Sequence, residues 1–373
     1  MNTFPNSLQS LLDNRKSNHL FRTLKASYPI IDFSSNDYLG FSVQGLLQKK
    51  IESLDLDVVK VGATGSRLIS GNSSLFNDIE NDITIFHSSE SALIYNSGYD
   101  ANLGLLSCIA HKNDLIISDE LIHASLIDGI RLSFATHYKF KHNDVTELID
   151  LLSRHRENFT NVFLVVESVY SMDGDCAPLV EFAAICNDFN IHLIVDEAHA
   201  IGVFGEKGKG LCNLLQMENQ CFARIYTYGK AMGCHGAAVV GSYQLKDYLI
   251  NFSRSFIYTT AMTLHSLLAI KAAYELLQTT NEIGKLKFNI NYFNSLAYDL
   301  NFIESQSALH CCIISGNENV QQLENKLQKN KLFVKSIKSP TVKEGQERIR
   351  VCLHSFNTTN EIDSFFSVLN TNH

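Results

Sequence analysis

Asp196-Glu197-Ala198-His199 follows the apolar run His192–Val195, and Thr227-Tyr228-Gly229-Lys230 follows a second apolar run, placing a lysine 34 residues after Asp196. An aspartate at the end of a buried strand is costly unless a cation faces it. A protonated pyridine nitrogen satisfies it, and that pairing keeps a pyridoxal 5'-phosphate ring an effective electron sink. His199 can then meet the ring's phenolic oxygen. The same aspartate can equally cap the helix that follows. Lys230, set among Gly229, Ala231, Met232 and Gly233, lies in a tight apolar turn rather than on a charged face. Desolvation lowers a lysine's pKa and makes the amine nucleophilic, as Schiff-base formation requires. Once displaced, the same amine can act as a general base. A solvated surface lysine is the alternative.

Two further segments sit at strand ends. In Asn96-Ser97-Gly98-Tyr99 a glycine opens a helical stretch, where backbone N–H groups can approach a phosphate. His123, in DELIHAS, offers a flat imidazole that can stack on a ring, or simply a hydrogen-bonded histidine at a helix start. Gly62-Ala63-Thr64-Gly65 is not a dinucleotide fingerprint, and Gly208-Lys209 is followed by glycine, which breaks a P-loop reading.

The elements that must carry these residues are legible as alternation. Candidate strands are Ala92–Tyr95, Leu115–Ser118, Val162–Glu167, His192–Asp196, Arg224–Thr227 and Ala237–Gly241. Between them lie helical patterns: one with Val145, Leu148, Leu151 and Leu152 on one face behind a cap at Asn143, another starting at Pro178 with Leu179, Phe182, Ala183 and Cys186 inward. Such alternation predicts an α/β fold with a mostly parallel sheet covered by helices, and ligands beyond the strands' carboxyl ends. Near residue 250 the pattern changes to helices through Leu264–Leu277 and on to about Phe302, then strand, helix, strand, helix. The expected division is 1–44 as an N-terminal arm and part of a small α+β domain, 45–279 as a large domain, and 280–373 as the rest of the small one.

Composition excludes other classes. A net charge of −8 leaves no basic excess for nucleic acid. Nine cysteines without a C-x-x-C pair indicate neither a disulfide framework nor a zinc site, and no metal is expected. No apolar run approaches the ~20 residues that span a bilayer, and the N-terminus lacks a signal-peptide core. A cytoplasmic protein without membrane partners is expected.

Together the motifs resemble the α-oxoamine synthase family of fold-type I pyridoxal-phosphate enzymes. FSSNDYLGF (33–41), GATGSRLISG (62–71), DELIHASLIDG (119–129), ESVYSMDGD (167–175), DEAHAIGVFG (196–205), TYGKAMGCHGAAVVGS (227–242) and FIYTTAM (256–262) fall in the family's order. The resemblance implies Lys230 as the Schiff-base lysine, Asp196 as pyridinium partner, His199 as phenolate partner and His123 as the stacking residue. It implies cofactor contacts from Gly98, Tyr99, Ser171 and Thr227, and from Thr260 across a homodimer. Arg22, Asn36 and Thr341 match substrate-contact positions, and Lys338 stands where arginine usually holds a substrate carboxylate, with Arg348 or Arg350 on the following strand as the alternative. The implied substrates are an amino acid, alanine, and an acyl thioester on coenzyme A or an acyl carrier protein. Ala200-Ile201 and Met262-Thr263 depart from the family's pattern, which implies an altered acyl pocket with the cofactor chemistry untouched.

Overall fold

The computed structural model describes residues 4–18, 20–24, 31–54, 62–297 and 300–370. Among the described residues twelve strands form three sheets. They are β1 (Ile31–Asp32), β2 (Ser91–Tyr95), β3 (Leu115–Asp119), β4 (Thr136–Phe140), β5 (Val162–Glu167), β6 (His192–Asp196), β7 (Ala223–Thr227), β8 (Ala237–Gly241), β9 (Leu309–Ile313), β10 (Leu332–Phe333), β11 (Lys335–Ile337) and β12 (Arg348–Cys352). The large sheet has the order β2-β8-β7-β6-β5-β3-β4. Neighbours are parallel except at β8, which runs antiparallel to both β2 and β7.

Every residue of β2, β3 and β5 is buried, because helices cover both faces of the sheet. Alternate side chains then serve two separate cores. Ala92, Ile94, Tyr226, Ala238 and Val240 join one, with Tyr38, Phe76 and Phe293. Leu93, Tyr95, Ile225, Ala237 and Val239 join the other, with Leu105, Leu126 and Phe182. The first core continues into Ile349, Val351 and Phe365 from the far end of the chain. The short pair β1–β10 ties the two chain ends together, and the antiparallel sheet β11-β12-β9 is built from the C-terminal part alone.

Six of the seven large-sheet strands match the sequence reading to within a residue. The exception, β4, has only Phe140 buried. It is an edge strand, so Thr136, His137 and Lys139 need no apolar pattern, and the sequence shows no run there. The helix Val145–His155 is capped by Asp144, whose carboxylate accepts from the Glu147 amide at 2.9 Å. The expected cap, Asn143, instead takes a left-handed φ of 55° and donates its amide to Asp175. Pro178 does begin the helix Leu179–Asp188, with Leu179, Phe182, Ala183 and Cys186 buried. The helix Leu264–Thr279 is followed by Glu282–Ala297. Among the described residues no helix is long and apolar enough to cross a membrane.

Candidate active site

Parallel strands deliver their following residues to one edge of the sheet. Gly98 follows β2, His123 follows β3, Ser171 follows β5, His199 follows β6 and Lys230 follows β7, while Asp196 is the last residue of β6. Lys230 lies in the loop from β7 to the antiparallel β8. That loop is closed at its base by the Tyr228 N–H on Gly236 O at 2.9 Å, and tightened by the Gly233 N–H on Lys230 O at 2.9 Å.

Lys230 Nζ stands 2.8 Å from His199 Nε2. Burial lowers the lysine's pKa to about 8 although Asp196 and Glu167 oppose the shift. Burial also holds His199 well below its ordinary value, with the charges of Lys230 and Arg350 acting in the same direction. Both groups are therefore held toward their neutral forms.

Asp196 is 4% exposed. One carboxylate oxygen accepts from the Ala198 amide at 2.9 Å, and the other from Asn102 Nδ2 at 2.8 Å. Asn102 also donates to Ser125 Oγ at 3.0 Å, and Ser125 Oγ lies 2.7 Å from His123 Nδ1. A continuous polar line thus joins Asp196 to His123, and the His123 amide donates to Glu167. Burial raises the Glu167 carboxyl to about 8, with the charge of Asp196 adding to it. Among the described residues only the Nδ1 edge of the His123 ring makes a hydrogen bond, and the residue is exposed, which leaves a ring face open.

Ser97 caps the helix Gly98–Ile109 by accepting from the Asp100 amide. The amides of Gly98 and Tyr99 in that first turn donate to no described residue, as helix starts leave them. A Cβ on Gly98 would collide with Thr227 Oγ1, so two expected cofactor contacts form one wall. On the other side Arg350 Nε donates to Ser171 O at 2.8 Å, and its Nη2 to Asn36 Oδ1 at 3.0 Å. Tyr38 Oη lies 2.8 Å from His199 Nδ1. Nine of the thirteen residues singled out from the sequence therefore cluster at this edge.

Four do not join by contact. Arg22 and Thr341 are exposed. Lys338 Nζ donates to Gln321 at 2.6 Å, on the helix Asn317–Lys329. Thr260 is exposed, and its carbonyl accepts from Asn96 Nδ2 at 2.9 Å. Ile201 and Met262 belong to the first core. Sequence reading overlooked Asn102, Ser125, Glu167 and Tyr38. Asn102 was signalled by an amide four residues after Gly98 within an apolar helix face, and the other three lie inside the quoted motifs.

A family model described as aminotransferase class I and II matches residues 28–369. The chain belongs to this family. Within it, the chain is 40% identical over 369 residues to 8-amino-7-oxononanoate synthase of Emericella nidulans, covering 91% of this chain and 89% of that one. It is 35% identical to the enzyme of the same name from Geotalea daltonii, over 99% and 97% of the two chains. The crystal structure of 8-amino-7-oxononanoate synthase from Francisella tularensis superposes with a TM-score of 0.79 at 31% identity, covering 92% of this chain and 98% of the other. Serine palmitoyltransferase of Sphingomonas wittichii, at 24% identity and a TM-score of 0.87 over 98% and 97%, shares the fold. This class I and II aminotransferase-family member is a fold-type I, pyridoxal-phosphate-dependent acyltransferase of the α-oxoamine synthase kind.

The residues fit the cofactor. The first-turn amides beside Gly98 suit its phosphate, the buried Asp196 carboxylate suits a pyridinium, the open face of His123 suits a ring, and the Lys230 amine suits a carbonyl.

Proposed function

We propose that this chain condenses L-alanine with a pimeloyl thioester, carried by coenzyme A or an acyl carrier protein, releasing CO2 and the free thiol to give 8-amino-7-oxononanoate for biotin synthesis. The relatives' names support the substrates, and the contact of Lys230 with His199 beside Asp196 supports the chemistry. Bound there, pyridoxal phosphate supplies an electron sink for charge developing at the amino acid's α-carbon. Lys230 binds the cofactor and, when released, takes the α-proton with its desolvated amine. Asp196, oriented by Asn102 and the Ala198 amide, holds a proton on the ring nitrogen. His199 donates to the phenolic oxygen. His123 stacks on the ring and offers a donor to the oxyanion that develops on the attacked thioester carbonyl.

Arg350, braced on Ser171 O and Asn36, takes the alanine carboxylate through its planar fork in place of Lys338, which is turned to Gln321. Arg22, Asn36 and Thr341 face the substrates when the site is closed. The protein works as a cytoplasmic homodimer in which Thr260 reaches the partner's phosphate. Residues 45–279 form the cofactor domain, with 1–44 and 280–373 as its smaller companion.

A screen crossing alanine, glycine and serine with acetyl, pimeloyl and palmitoyl thioesters tests the substrates. Alanine with pimeloyl should give the highest kcat/KM. A preference for glycine with acetyl would replace this reading with a glycine C-acetyltransferase.

A further inference from the structure

Tyr38 is fully buried and His199 is 4% exposed, and their contact at 2.8 Å falls on Nδ1, the imidazole nitrogen facing away from Lys230. The phenol has one hydrogen and two acceptors within reach: His199 Nδ1 at 2.8 Å and Asn36 Oδ1 at 3.1 Å. Asn36 Oδ1 already receives a hydrogen from Arg350 Nη2 at 3.0 Å. Among the described residues His199 Nδ1 has no such second donor, and the shorter contact is the one to it. Giving the Tyr38 hydrogen to Nδ1 satisfies both acceptors; giving it to Asn36 leaves the histidine edge dependent on the ring's own hydrogen.

We propose that Tyr38 is a positioning residue that fixes the ring hydrogen of His199 on Nε2, aimed at Lys230 and at the cofactor's phenolic oxygen. The proposal rests on the reading of His199 as the partner of that oxygen. A neutral imidazole carries its hydrogen on one nitrogen only, and the bond made at the other decides which. With Nδ1 accepting from Tyr38, Nε2 becomes a donor. Facing the free lysine, it holds the lone pair of a neutral amine. Facing an anionic oxygen, it makes the charge-assisted bond that stabilises the anion.

The surroundings keep both partners in the required forms. Burial raises the Tyr38 phenol far above its ordinary range, so it stays O–H. Burial, with Lys230, Arg350 and His123 as the charged or titratable groups facing it, keeps His199 neutral. The geometry also couples the chain ends to the chemistry, because Tyr38 and Arg350 belong to the two terminal segments and His199 to the turn after β6 of the central sheet.

Two measurements on the cofactor-loaded protein test this. In the first, the visible band of the bound cofactor is titrated with pH in wild type, Tyr38→Phe, His199→Phe and the double variant. Losing a donor to the phenolic oxygen destabilises its anion, so the midpoint should rise in Tyr38→Phe by roughly one pH unit, a tenfold change in that equilibrium. It should rise at least as far in His199→Phe, and Tyr38→Phe should add nothing in that background. An unchanged midpoint in Tyr38→Phe, or an equal rise in the His199→Phe background, overturns the proposal. If His199→Phe itself leaves the midpoint unchanged while the band persists, the role of His199 falls as well, with cofactor binding by Lys230 intact. The second measurement needs no Tyr38 variant. Ring-15N spectra of histidine-labelled wild type, with the His199 signals identified by their loss in His199→Phe, should show a protonated Nε2 and an unprotonated Nδ1. The opposite tautomer refutes the assignment even if Tyr38→Phe fails to fold.

Discussion

Replacing His142 with glutamine probes the clamp that ties two site loops together. His142 Nδ1 lies 3.1 Å from Asp119, the last residue of β3, and Nε2 lies 2.9 Å from Asp175, after β5. Asp119 also accepts from the amides of Leu121 and Asn143, both at 2.8 Å, so it organises the loop leading to His123. The Asp175 loop carries Ser171 and is held from the other side by Arg348, which pairs with Asp173. Burial alone would lower the pKa of His142, but hydrogen bonds and charges from the two aspartates outweigh it and raise the value from 6.5 to about 10. A difference of that size corresponds to at most roughly 5 kcal/mol. Asp175 is 22% exposed, and solvent screening reduces the expected loss to about 2–3 kcal/mol. Because the folded pKa lies above the unfolded one, the contribution is complete below pH ~6.5 and disappears as pH rises through about 10. Urea unfolding at fixed protein and cofactor concentration should therefore show His142→Gln least stable, relative to wild type, at pH 6, with the gap narrowing toward pH 10. A gap independent of pH, or none at pH 6, would show that the imidazolium does not form the clamp.

Gly98→Ala should weaken pyridoxal-phosphate binding by about tenfold or more, about 1.4 kcal/mol, because the new methyl meets Thr227 Oγ1; an unchanged Kd in equilibrium dialysis would remove the phosphate from this helix start. Arg350→Ala should raise the alanine KM by an amount worth about 1.5–3 kcal/mol, the range for hydrogen bonds to charged groups, while Lys338→Ala leaves it nearly unchanged, and steady-state kinetics showing the reverse would return the carboxylate to Lys338. The rate at which cofactor-free protein recaptures pyridoxal phosphate should climb through pH ~8 as Lys230 loses its proton; a midpoint near 10 would mean the amine is solvated.

Buried strands were legible because apolar runs between helical patterns admit few other readings. β4 was not, since an edge strand that exposes Lys139 carries no such run. Asn143 shows a different limit. Asn143 and Asp144 are adjacent cap formers, and only the left-handed turn at Asn143 decides that Asp144 does the capping. Among candidate site residues, Lys230, Asp196 and His199 were legible because each ends a strand or lies three residues beyond one. Asn102 and Ser125 were not, because their importance lies in whom they touch, and those contacts bridge 94 and 23 residues of chain. Lys338 and Arg350 lie close in sequence, yet Lys338 turns to a helix while the antiparallel strand β12 brings Arg350 to Asn36.

The antiparallel placement of β8 bears on how often the enzyme can repeat its cycle. Most loops at this edge run from a strand into a helix, whose end can shift as the helix slides on the sheet. The Lys230 loop runs instead between two paired strands, with Thr227 opposite Ala237 across the ladder. Both of its ends are fixed to the same rigid object, and the Tyr228–Gly236 bond shuts it at the base. On the role proposed for Lys230, letting go of the cofactor and recapturing it asks the side chain to explore only the rotamers of its own four-carbon stem. The return is a short local search rather than a loop rearrangement, so recapture after product formation should not be the step that limits the rate.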